Sequence, residues 1–183
     1  SHPIVARRIV KAKEKGAKII VIDPRAIETA RIADLYIQIN NGCNLAFMNA
    51  FANAIVTENL HDMAFIEAHT TGFNEWWETI KNYTPESVAE ICGCSAEDIR
   101  KAARMYATAP NSIIGWGMGV TQQRQGVKVV HQIAAIACIT NQIGRYNAGL
   151  APVRGQNNVQ GSCDMGMWPS WFPGYQKVED PAN

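Results

Sequence analysis

Lys18-Ile19-Ile20-Val21-Ile22-Asp23-Pro24-Arg25 decides the fold. A short apolar run rich in β-branched residues, bounded by Gly16 and Pro24, reads as a strand buried on both faces. Ahead of it, Val5, Ile9, Val10 and Ala12 mark the apolar stripe of a helix. Ser1 suits its cap, Pro3 its first turn and Gly16 its end. Helix followed by buried strand predicts an α/β fold with a parallel sheet.

Working outward, residues 34–39 alternate enough for a second strand, and residues 45–56 form an apolar stretch that fits a buried helix. The polar, aromatic residues 58–83 suit two or three short helices. Thr84-Pro85 starts another, and Ser95-Ala96-Glu97-Asp98 has the form of an acidic capping box that opens a helix to about residue 109. Residues 111–116 are a third strand and residues 125–140 a further helix. After Asn141, Gly, Pro, Asn and Gln dominate and no period survives. The chain therefore divides into an α/β domain, residues 1–140, and an irregular segment, residues 141–183, of a length seldom found without a functional reason.

The chain has 183 residues, 47% of them hydrophobic and 18% charged, enough for one domain with a sizeable core. Seventeen Lys plus Arg against 16 Asp plus Glu give a net charge of +1, which argues against a nucleic-acid-binding surface. No apolar run reaches the length of a membrane span, and no secretory signal opens the sequence. Five cysteines at irregular spacing argue against a disulfide scaffold and favour a reducing, cytoplasmic setting.

Three stretches are suited to chemistry. Asp23-Pro24-Arg25 ends a buried strand, where open α/β sheets bind their ligands. A carboxylate there can accept from both hydroxyls of a ribose, and an arginine can hold a phosphate or stack on a base. Gly115-Trp116-Gly117-Met118-Gly119 also lies between a strand and a helix, where glycines let a ligand approach the backbone and its N–H groups. It is not the G-x-G-x-x-G dinucleotide fingerprint. Both turns are expected on the same edge of one sheet. The third is Pro152-Val153-Arg154-Gly155-Gln156-Asn157-Asn158-Val159-Gln160-Gly161, one arginine among amides, which suits the lining of a polar site better than core or solvated surface.

Other residues read as structural. Cys92 and Cys94 lack a partner pair or histidine at zinc spacing. His131 reads as a core histidine, His61 and His69 as surface helix residues, and Trp76-Trp77 as helix packing. No nucleophile–histidine arrangement is legible.

Together these blocks resemble the molybdopterin oxidoreductases of the dimethyl sulfoxide reductase family, and within it the catalytic subunits of formate dehydrogenases. The resemblance is carried by Ser1-His2-Pro3, residues 21–25 with Thr29-Ala30 and Ala33-Asp34, residues 116–122, and residues 152–161 with Cys163-Asp164-Met165-Gly166. It runs over essentially the whole chain, and its last block is specific.

The resemblance implies a three-layer αβα, mainly parallel, Rossmann-like domain that is an internal piece of a larger enzyme. That enzyme oxidises formate on molybdopterin guanine dinucleotide carrying molybdenum or tungsten, and passes electrons to a [4Fe–4S] centre held elsewhere. Carried over by match, Asp23 and Arg25 contact the guanosine, and Gly42 and Asn44 the guanine. Gly117, Met118, Gly119 and Gln122 approach the pterin, Gln156 lies near it, and Arg154 sits beside the metal to orient formate. Implied partners are the other domains of the same subunit and electron-transfer subunits. The isolated chain is expected to be inactive. Competing readings are a nitrate reductase of the same family, a non-catalytic domain like that of the large iron–sulfur subunit of NADH dehydrogenases, and an independent nucleotide-binding module.

Overall fold

The computed structural model describes residues 2–182. It is a mixed α/β structure built around a helical core. Helix α1 (Pro3–Glu14) starts at His2 without a side-chain cap; Ser1, expected to supply one, lies outside the described residues. Strand β1 (Ile20–Ile22) follows, then a 3-10 turn (Glu28–Ile32) and strand β2 (Leu35–Ile37). The two strands pair in parallel, Ile20 opposite Leu35 and Ile22 opposite Ile37.

Helix α2 (Asn44–Thr57) is mostly apolar, and most of its residues are buried. Helix α3 (Met63–His69) follows, and α4 (Phe73–Ile80), α5 (Pro85–Cys92) and α6 (Ala96–Ala107) pack against α2. Phe47, Ala50, Phe51 and Ile55 of α2 are buried with Val88, Ile99, Ala102 and Ala103, and Tyr106 meets Phe51 edge-on at 5.8 Å. Local chemistry sets the helix starts as the sequence predicts. Thr84 accepts from the Ser87 N–H, and Ser95 from the Asp98 N–H. In place of a full capping box, Asp98 accepts from the Ser95 hydroxyl at 2.7 Å.

Strand β3 (Ile113–Trp116) leads through the short α7 (Met118–Thr121) into α8 (Gly126–Ile139), which crosses the core to β4 (Gly149–Pro152). Strands β3 and β4 pair in parallel, Ile113 opposite Gly149 and Trp116 opposite Pro152. Helix α9 (Val159–Asp164) and an antiparallel pair, β5 (Trp171–Phe172) and β6 (Gln176–Lys177), complete the structure. Among the described residues no helix is long and apolar enough to cross a membrane.

Two expectations change. Among the described residues the strands form two separate parallel pairs and a hairpin rather than one sheet. Apolar periodicity reports burial, not partners: Ile20, Ile22 and Ile114 are half-buried against the helical core. In addition, residues 141–183 are not irregular throughout. β4 belongs to a parallel pair, and α9 and the hairpin follow.

The histidine readings also shift. His131 is exposed, and Gln132 beside it is buried, its Oε1 accepting from Trp76 Nε1 at 2.9 Å. His61 is half-buried before α3 and stacks on Phe73 at 6.0 Å.

Candidate cofactor site at the strand ends

At the carboxyl end of β1, the Asp23 N–H donates to the Ile37 carbonyl at 3.2 Å, which completes the β1–β2 pairing. One Asp23 carboxylate oxygen accepts from the Arg25 N–H at 2.8 Å, which shapes the turn through Pro24. Tyr36 donates its hydroxyl to the Asp23 carbonyl and Gln38 its amide to the Pro24 carbonyl, at 3.1 and 3.0 Å. The second Asp23 oxygen and the Arg25 guanidinium make no hydrogen bond to the described residues, so both are open to a ligand.

Beside this turn lies an open-sided cavity of about 240 Å³, lined by Pro24, Gln38, Ile39, Asn40, Asn41 and Gly93. Its wall is rigid. The Asn40 N–H donates to the Cys92 carbonyl at 2.7 Å, and its side-chain amide to the Ile91 carbonyl at 3.1 Å. Gly93 closes α5 with φ +67°, and a Cβ there would fall 2.8 Å from the Asn40 amide. Gly42, at φ +84°, turns the chain from the cavity into α2, whose first residue is Asn44. Gln38, Asn40, Asn41 and Gly93 were not legible as site residues. The Asn40-Asn41-Gly42 cluster gave a turn signal only.

Three thiols lie behind this wall. Burial pushes the Cys43, Cys92 and Cys94 thiols up from their ordinary range, as suits packing residues. No group of three or more metal-ligating side chains occurs among the described residues.

The second and third stretches meet. Because Trp116 pairs with Pro152 and the Val153 N–H donates to the Trp116 carbonyl at 2.8 Å, both segments leave the β3–β4 pair at one end. Met118 lies across Gly155: a Cβ at Gly155 would sit 2.1 Å from the methionine sulfur. The Gln156 amide reaches that sulfur at 4.0 Å. Gly117 and Gly119 have ordinary backbone angles, and a Cβ at either would meet no protein atom closer than 3.9 Å. Among the described residues, nothing crowds a side chain at either position. Gln122 is exposed just after α7, its side chain making no hydrogen bond to the described residues.

Arg154 is exposed, and among the described residues it forms no ion pair. Its carbonyl accepts from His2 Nε2 at 2.6 Å, and its Nη2 reaches Cys163 Sγ at 3.8 Å. The candidate residues thus fall into two groups. Asp23, Arg25, Gly42 and Asn44 gather at the β1–β2 end; Gly117, Met118, Gly119, Gln122, Arg154 and Gln156 gather at the β3–β4 end. No strand pairing joins the groups among the described residues.

Asp34 has a different role from these. It sits at the start of β2, at the amino end of the β1–β2 pair. The Ile19 N–H at 2.9 Å and the Lys13 ammonium at 3.0 Å lower its carboxyl to about 2. It ties α1 to the strands.

The residues present suit polar and anionic ligands. A polar cavity with an open carboxylate and guanidinium suits a nucleoside, and uncrowded glycines beside an unpaired arginine suit a flat anionic group and a small anion.

The family model for molybdopterin oxidoreductases matches residues 1–179. Formate dehydrogenase H of Escherichia coli is 56% identical over 183 residues, the whole of this chain and 26% of that protein. The F420-dependent formate dehydrogenase subunit alpha of Methanocaldococcus jannaschii is 52% identical, over 98% of this chain and 27% of that protein. A nitrate reductase of Synechocystis is 34% identical over the whole chain. Among solved structures, acetylene hydratase from Pelobacter acetylenicus superposes with a TM-score of 0.71 at 33% identity, over 75% of this chain and 19% of its own. The chain thus spans about a quarter of the length of these curated relatives. With its motif blocks gathered at two strand ends and a family match running through both, the chain belongs to the molybdopterin oxidoreductase family.

Proposed function

We propose that this chain is the cofactor-holding part of a formate dehydrogenase that carries molybdopterin guanine dinucleotide with molybdenum or tungsten. The observation that carries the reading is the meeting of Met118 with Gly155 and Gln156 next to an unpaired Arg154. The names of two relatives more than half identical to the chain point to formate.

When bound, the cofactor supplies a two-electron redox centre whose electrons pass to a [4Fe–4S] centre and onward to partner subunits. The chain's own residues bind and orient. Asp23 accepts from the ribose hydroxyls, Arg25 holds the nucleotide, and Gly42 and Asn44 face the guanine. Gly117, Met118, Gly119, Gln122 and Gln156 bed the pterin. Arg154 pairs with the formate carboxylate and stabilises it while the C–H bond gives up two electrons and a proton. The two strand pairs belong, on this reading, to one Rossmann-like αβα domain in a cytoplasmic enzyme. The 183 residues alone do not turn over formate.

The test is Arg154→Lys in the complete enzyme. The expected result is a fall in kcat/KM for formate of roughly 10²-fold or more, on the scale of other electrostatic donors. Wild-type kinetics in that variant would overturn the assignment. Nitrate as substrate separates the second reading, which the Synechocystis relative favours.

A further inference from the structure

Arg154 is held at two points by residues far apart in sequence. His2, 152 positions away, contacts its carbonyl through Nε2 at 2.6 Å, and Cys163 accepts from its guanidinium at 3.8 Å. A carboxylate is close in sequence, since Asp164 follows Cys163 in α9. Successive helical residues point about 100° apart, and Asp164 is engaged elsewhere. It accepts from the Tyr175 hydroxyl and from Gln160 Nε2, the latter at 3.2 Å, while its carbonyl takes the Gly174 N–H at 3.1 Å. The guanidinium therefore rests on a cysteine sulfur rather than a carboxylate, and the nearest acid along the chain is tied to the hairpin.

That arrangement separates orientation from neutralisation. An aspartate against Arg154 would fix its geometry and cancel its charge. A cysteine sulfur is a weaker acceptor than a carboxylate; it fixes geometry and leaves more of the charge available to an anion. We propose that His2 and Cys163 are positioning residues for Arg154, and that Cys163 holds the guanidinium with less compensation than a carboxylate would give, so that more of its charge meets the substrate carboxylate. The proposal rests on the reading of Arg154 as the formate contact.

The experiment uses the complete enzyme, with formate kinetics and crystal structures of Cys163→Ala, Cys163→Ser, Cys163→Asp, His2→Ala and His2→Gln, alone and combined with Arg154→Lys. Cys163→Ala and His2→Ala should raise KM for formate about three- to tenfold, with kcat within about twofold. Cys163→Ser and His2→Gln keep an acceptor and a donor and should stay within about twofold of wild type. Cys163→Asp should raise KM more than Cys163→Ala does. In the Arg154→Lys background, Cys163→Ala should add nothing. Unchanged KM in Cys163→Ala, or additive effects in the double variant, would overturn the proposal. If Cys163→Ala does not accumulate, the His2 variants and the Cys163→Ser and Cys163→Asp comparison decide by the same criteria. Should Arg154→Lys match wild type, the functional reading fails separately. The positioning claim is then decided by the crystal structures, where an unmoved guanidinium without the thiol sinks it.

Discussion

Met118 lies across Gly155 so closely that a single methyl group at Gly155 would fall 2.1 Å from its sulfur. The contact joins two motif blocks that the sequence keeps more than a whole helix apart.

Gly155→Ala should therefore move Met118 rather than unfold the chain, because the displaced atoms belong to a flexible side chain. Thermal stability should fall by no more than about 1 kcal/mol. Molybdenum or tungsten content of the purified complete enzyme, measured by elemental analysis, should fall severalfold. Full metal content would show that Met118 does not help to bed the cofactor.

Gly93→Ala acts at the other end of the site. Its φ of +67° is unfavourable for alanine, and the new Cβ would press on the Asn40 amide at 2.8 Å. Left-handed backbone costs a non-glycine residue roughly 1–2 kcal/mol. Urea unfolding of the chain should show a loss of at least that size, whereas Gly119→Ala, with nothing within 4 Å, should show much less.

Asp34 predicts a pH dependence. Its folded-state carboxyl lies at about 2, below the ordinary value near 4 of an unfolded chain. A depressed carboxyl contributes stability that is complete above the unfolded value and is lost as pH falls from about 4 through 2. Asp34→Asn should flatten the acid limb of a plot of thermal midpoint against pH in that window. Near neutral pH the variant should lie below wild type. Parallel acid limbs would refute the role assigned to the Ile19 and Lys13 contacts.

Gln142 is 2% exposed and bridges the approach to β3. It accepts from the Ser112 N–H at 2.8 Å and donates to the Ala109 carbonyl at 2.9 Å. Gln142→Ala strands both backbone groups and should cost about 2–4 kcal/mol. Urea titration checks the value.

Most helices and the first three strands were legible because each carries its own local signal. Thr84 and Ser95 cap, and Ile19 to Ile22 are β-branched. Strand β4 was not, since Gly149-Leu150-Ala151-Pro152 has neither alternation nor β-branching and is extended only because β3 pairs with it. One position along α8 separated the expected buried residue, His131, from the buried one, Gln132, since a residue step turns the helix by about 100°. The candidate site was legible as separate blocks, because arginine, acid and glycine at strand ends are informative singly. The Met118–Gly155 approach, the His2–Arg154 bond and the Asn40 wall were not, because each depends on strand register or helix docking that no local pattern encodes.

The parallel pairing of β3 with β4 has a further consequence for how Arg154 is placed. Parallel neighbours cannot be closed by a tight turn, so the intervening chain must first traverse the molecule. Here that traverse is α8, buried along Val129, Ile133 and Ile136. Arg154, just beyond β4, therefore owes its station to the packing of that crossing and not to its own neighbours in sequence. The position of the charge is thus hostage to the interior: a change in the packing of α8 displaces it without touching the site.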